Sequence, residues 1–222
     1  MLRLYYEPAA TTCRPIMLFA DEAGIALDYV HVDLFSGEHA MPAFAAINPN
    51  RAVPVLDHDG FRLTECSAIL KYLAELCGSP AYPAAPQARA RVNQMMDWFL
   101  SGFSQDYCYG VVYPQVLPEY RRAEPIHGAE LARFRLRAAR RLAVLDEWIG
   151  PRAFLCGDQI SLADYLGGAF VSLGELIDFD LSPYPNVSRW LGALQRRPSW
   201  DTVHSGFYGW RSAARQALRQ CA

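Results

Sequence analysis

The chain has 222 residues, a formal net charge of −2, 52% hydrophobic residues and 20% charged ones. That balance, with an isoelectric point near 6.2, gives no reason to expect nucleic acid as a partner, and no apolar run approaches the roughly 20 residues that a membrane helix needs. Six cysteines without a C-x-x-C pair and five scattered histidines point to reduced thiols rather than a disulfide or metal framework, and the length suits two modest domains.

Met1-Leu2-Arg3-Leu4 enters a strand directly, with no signal-peptide architecture, which predicts a cytoplasmic protein. In chain order the patterns predict a strand over Leu2–Tyr6, a helix over 13–23, a strand over 28–33 and a short helix over 41–46. A hairpin over 53–57 and Phe61–Thr64 follows, turning at Asp59-Gly60, and then a helix over 65–76. The order β-α-β-α-β-β-α is that of a thioredoxin-like domain, placed at 1–78. A Val53-Pro54 bond in the cis form turns the chain sharply and leaves the Val53 backbone N–H and C=O unpaired for an extended ligand. The run from Thr64 to Ser67 leads into a helix whose first-turn N–H groups suit a carboxylate. Together the two segments point to recognition of a small peptide acid.

The proline-rich stretch 79–87 reads as a linker, and 88–222 as an all-helical domain. Val92, Met96, Phe99 and Phe103 recur at helical spacing, as do Leu131, Phe134, Ala138, Leu142, Leu145 and Ile149. Ser161-Leu162-Ala163-Asp164 is a capping-box start with Ile160 and Tyr165 as its staple, a folding feature. Pro185 and Pro198 mark further helix starts. The arginines at 133, 135, 137, 140 and 141 read as a solvated face, with Glu130 and Asp146 nearby in sequence.

Asn48-Pro49, Val53-Pro54, Thr64-Glu65 and Ala68-Ile69-Leu70, in that order, strongly resemble the glutathione-binding half of cytosolic glutathione transferases. With Tyr5-Tyr6, Cys13-Arg14, Ser36-Gly37-Glu38-His39 and Ala43-Phe44, the likeness covers about the whole chain and is nearest to theta- and delta-like classes, in a bacterial member. It implies an α/β thioredoxin-like domain followed by an all-α domain, a homodimer, a detoxifying transfer of the glutathione thiol to an apolar electrophile, and no cofactor or metal beyond the co-substrate glutathione.

A thiol of pKa about 8.5 is only a few per cent thiolate at neutral pH, so donors to the charged form must lower it. By the resemblance the catalytic serine of the theta and delta classes falls on Ala10, a departure. The hydroxyl then comes from Thr11 in preference to Thr12, which is expected to cap the helix instead; both threonines merely capping is the bland alternative. Tyr6 and Cys13 are secondary candidates, the tyrosine expected in its strand and the thiol expected to be buried and inert. The resemblance assigns His39 and Arg51 to the glycyl carboxylate, Val53 with Pro54 to the cysteinyl backbone, and Glu65, Cys66 and Ser67 to the γ-glutamyl end. Phe103, Tyr107, Tyr109, Tyr113, Phe207 and Trp210 are the expected wall for the second substrate. Three alternatives accompany this reading: the same thiolate used for dehalogenation, isomerisation or disulfide reduction; a glutathione-binding protein with little transferase activity; and a transferase-like interaction module.

Overall fold

The computed structural model describes residues 1–117 and 128–220, with side chains of the last helix described to residue 216; Cys221, expected as a reduced thiol, lies outside the described residues. Strand β1 (Leu2–Tyr6), helix α1 (Arg14–Glu22), β2 (Asp28–His31), the short α2 (Pro42–Ala45), β3 (Val55–His58), β4 (Phe61–Thr64) and α3 (Cys66–Leu76) follow the expected order. The strands form a four-stranded sheet in the order β2-β1-β3-β4, parallel between β1 and β2 and antiparallel elsewhere.

Period-two alternation gives this sheet two apolar faces. Leu4 pairs with Leu56, and both are sealed in the large core with α1 and α3. Their neighbours Tyr5 and Val55 pair on the opposite face and pack with Phe44 of α2. β2 stops at His31 because Asp33 folds the chain, its Oδ1 accepting the N–H groups of Phe35 and Ser36 at 2.9 and 3.0 Å. β3 begins after Pro54, which has no N–H to give a ladder, and the Val53-Pro54 bond is cis. Pro15 in the first turn of α1 costs no helical bond there.

Beyond the linker, α4 (Pro86–Trp98) continues as a π-helical stretch, Phe99–Val112, and ends in α5 (Tyr113–Val116). α6 (Gly128–Ile149), α7 (Leu162–Ser172), α8 (Pro185–Gln195) and α9 (Trp200–Gln220) complete the described helices. α6 lies close against the π-helical stretch, since a Cβ at Gly110 would meet Phe134 Cδ1 at 2.3 Å. The Ser161 box forms, with the Ser161 N–H and hydroxyl both donating to Asp164 Oδ2 at 2.8 and 2.7 Å. Asp164 also accepts the indole N–H of Trp190 at 2.9 Å, which ties α7 to α8.

The arginine helix is only partly the solvated face expected. Arg133, Arg135 and Arg140 are exposed, but Arg137 and Arg141 flank the buried carboxylate of Asp106 at 2.7 and 2.9 Å. Asp146 is not a surface partner for them. Its Oδ1 caps α8 by accepting the N–H groups of Asn186 and Val187 at 2.7 and 2.9 Å.

Helix α1 joins the two halves of the molecule. Arg14, fully buried, donates to Ser172 Oγ and the Ala169 carbonyl, both at 2.9 Å, and lies 4.0 Å from the Phe207 ring centre. At the other end Glu22 accepts Arg197 Nε at 2.6 Å and the Tyr165 hydroxyl at 2.7 Å.

Candidate functional site

A cleft of about 330 Å³ opens between the sheet domain and the helices, within the size range of small-molecule sites. One wall comes from the loop after β1, with Glu7, Ala9, Ala10, Thr11 and Thr12, and from Leu34, Phe35, His39, Arg51, Ala52 and Val53. Tyr109, Tyr113, Leu117 and Trp210 supply the helical wall. Phe35 and Trp210 meet across the domains with ring centres 5.8 Å apart.

The two threonines hold different positions. Thr11 is buried, and its Oγ1 lies 2.9 Å from the Tyr113 hydroxyl. Thr12 Oγ1 donates instead to the Val53 carbonyl at 3.3 Å. That bond corrects the expectation of an unpaired Val53 carbonyl. Neither threonine caps α1, whose N-cap residue is Cys13 without a side-chain cap bond. Cys13 is fully buried, and burial pushes its thiol up to about 12, which suppresses the nucleophilic thiolate. Tyr6 stays outside the lining and packs on the rings of Tyr29 and His31.

His39 and Arg51 both line the cleft, and His39 Nδ1 is buried with no partner. Arg51 sits at φ 54° in a turn held by Asn48, whose Nδ2 donates to the Ala52 carbonyl at 2.7 Å. Pro54 is buried behind Val53, and Glu65, Cys66 and Ser67 lie outside the lining. Cys66 needs correction as a side-chain ligand: its thiol is packed in the main core and pushed up to about 12 by burial, leaving only backbone at the mouth of α3. Glu65 is exposed at φ 68° and ψ 116°, a conformation L residues rarely adopt.

Half of the expected aromatic wall is core. Phe103, Tyr107 and Phe207 have no exposed surface and do not line the cleft. Phe103 is packed between Phe99 and Tyr107, Tyr107 donates to the Val171 carbonyl, and Phe207 lies under Arg14. Tyr109, Tyr113 and Trp210 remain, joined by Leu34, Phe35 and Leu117, which the sequence reading missed. Phe35 carried a usable signal, a large apolar side chain in a turn that belongs to no periodic core pattern, and in the fold it is 60% exposed. Among the described residues no three His, Cys, Asp or Glu side chains gather to hold a metal ion, and no helix is long and apolar enough to cross a membrane.

Residues 2–75 match the glutathione S-transferase N-terminal domain and residues 118–198 the C-terminal domain of the same family. Glutathione S-transferase D6 of Drosophila melanogaster is 32% identical over 201 residues, covering 89% of each chain. A delta-class glutathione transferase of Nilaparvata lugens superposes with a TM-score of 0.86 at 31% identity, over 98% of this chain and 100% of that one. Human glutathione-S-transferase T1-1 in its apo form gives 0.84 at 27% identity, over 99% and 97%. The agreement spans both domains, in sequence and in structure, and the chain belongs to the glutathione S-transferase family.

Proposed function

We propose that this chain binds glutathione in the interdomain cleft, holds it as the thiolate and transfers the sulfur to an electrophilic carbon, in the manner of the delta and theta classes. The observation that carries the reading is the convergence on one cleft of a buried hydroxyl, Thr11, two basic side chains, His39 and Arg51, and the Val53 backbone. The basic pair suits the glycyl carboxylate, and the unpartnered His39 Nδ1 is a ready contact for it. Val53 offers its N–H to the cysteinyl backbone. The backbone at the start of α3, with Ser67, takes the γ-glutamyl carboxylate, and the unusual Glu65 conformation supports a functional reason for that turn.

Thr11 is favoured over Thr12 as the thiolate donor because the Thr12 proton is committed to the Val53 carbonyl. When the Tyr113 hydroxyl donates to Thr11, the Thr11 proton points on to sulfur, and a chain of two hydroxyls strengthens each link. A thiol pKa lowered by one to two units corresponds to about 1.4–2.7 kcal/mol of differential stabilisation. The second substrate rests on Tyr109, Tyr113, Trp210, Phe35 and Leu117. The protein acts as a symmetric cytoplasmic homodimer.

Calorimetric titration of glutathione, followed by turnover with an aryl halide, tests the reading. Binding with turnover is expected, and His39→Ala is expected to weaken glutathione about tenfold. Binding without turnover would reduce the chain to a glutathione-binding protein, and absence of binding would reject the site. Sedimentation at micromolar concentration showing only a 24.9 kDa species would reject the dimer.

A further inference from the structure

Among the described residues the lining of the cleft carries one carboxylate, Glu7, which the binding of glutathione described above does not use. The residue follows directly on β1 and is 5% exposed. Oε1 accepts the Ala9 N–H at 3.0 Å, and Oε2 lies 3.0 Å from Nε2 of His31, whose side chain is 52% exposed. Glu7 is followed at once by a contact with the helical domain. The next residue, Pro8, is packed so tightly on α9 that a Cβ at Gly206 would meet it at 2.7 Å. One turn along α9, Trp210 reaches the Phe35 ring. The basic residues His39 and Arg51 belong to the other segments of the wall.

We infer that Glu7 selects the second substrate, favouring electrophiles that carry an apolar body and a hydrogen-bond-donating group, an ammonium above all. A carboxylate accepts only and has about four lone-pair sites, of which the known partners occupy two. An electrophile that brings only apolar surface to this wall desolvates the carboxylate further without replacing the lost water. One that brings a donor compensates the loss, and an anionic one meets repulsion as well. The inference rests on the transferase reading and deepens it.

Two chlorodinitrobenzenes that differ in one substituent, aminomethyl or methyl, test it. In both reactions the glutathione sulfur forms a bond to the halide-bearing ring carbon, chloride leaves with the bonding electron pair, and the thiol proton passes to solvent. Each kcat/KM is divided by the uncatalysed rate of the same compound, which removes the intrinsic effect of the substituent. The wild type is expected to prefer the aminomethyl compound by about tenfold, the scale of a charge-assisted hydrogen bond. Glu7→Gln, which retains an acceptor for the Ala9 N–H, is expected to bring the ratio near one. His31→Ala removes the group that occupies Oε2, leaving that oxygen to the substrate, and is expected to raise it. A ratio of one in the wild type, or a ratio unmoved by Glu7→Gln, overturns the inference and leaves the transferase reading intact. A rise in glutathione KM alone overturns it too. No turnover of either compound overturns the transferase reading and the inference together.

Discussion

Helix α1 meets the helical domain at both ends, and the two meetings are built differently. At the C-terminal end the charges are matched: Glu22, set unfavourably against the negative end of the helix dipole, is answered by Arg197 and by the Tyr165 hydroxyl. At the N-terminal end the bridge is a pair of neutral hydroxyls, Thr11 and Tyr113. Behind it lie two buried basic groups, Arg14 and His204, whose hydrogen-bond partners are neutral oxygens. Arg14 Nε and His204 Nε2 are both buried without a partner. At the C-terminal end the charges answer one another, whereas behind the N-terminal bridge Arg14 is the one cation, met by neutral oxygens alone, and burial keeps His204 neutral.

Breaking the matched end is expected to have the largest effect on stability and none on the chemistry. Glu22→Ala strands Arg197 and the Tyr165 hydroxyl. With Arg197 29% exposed, the loss falls below that of a sealed pair, at about 2 kcal/mol, a fall in Tm of about 4–8 °C. The pKa of bound glutathione should not move. A large thiol shift in Glu22→Ala would erase the distinction between the two ends.

The N-terminal end responds to pH instead. Burial, with Arg14 next, pushes the His204 imidazole down to about 3 from an ordinary value of 6.5. Below pH 6.5 the unfolded chain takes up a proton that the folded chain refuses, so this contribution is complete above 6.5 and is lost as pH falls toward 3. The slope approaches about 1.4 kcal/mol per pH unit. Urea unfolding at several pH values in that window should show it in the wild type, and His204→Gln should flatten it. A smaller effect is expected from Tyr113→Phe, which removes one hydroxyl from the bridge. Stability should fall by about 1 kcal/mol and the bound thiol pKa rise by about half a unit.

The glutathione half was legible because each of its signals has a local mechanism. Asp59-Gly60 turns the hairpin, Pro54 sets the start of β3, and the alternation of Leu4 with Tyr5 assigns the two faces of the sheet. The aromatic wall was not legible, for two reasons. The Phe99–Val112 stretch is π-helical, so its i→i+5 winding shifts which aromatics face inward relative to an α-helical count. Phe103 is core already as the continuation of the stripe Val92, Met96 and Phe99; beyond it Tyr107 lies in the core while Tyr109 reaches the cleft. The Thr11–Tyr113 contact joins residues 102 apart in sequence, a distance over which no periodicity speaks. The roles of Asp146 and Asp106 were hidden for the same reason: their partners are a helix N-terminus and two arginines brought to them by packing.

The Thr11 hydroxyl is proposed to take over the work of the donor missing at Ala10. Thiolate absorbance of bound glutathione against pH, for the wild type, Thr11→Val and Thr12→Val, tests it most directly. Substantial thiolate is expected in the wild type near neutral pH, with a pKa higher by about one unit or more in Thr11→Val and a smaller change in Thr12→Val. Equal pKa values in the wild type and Thr11→Val would contradict it.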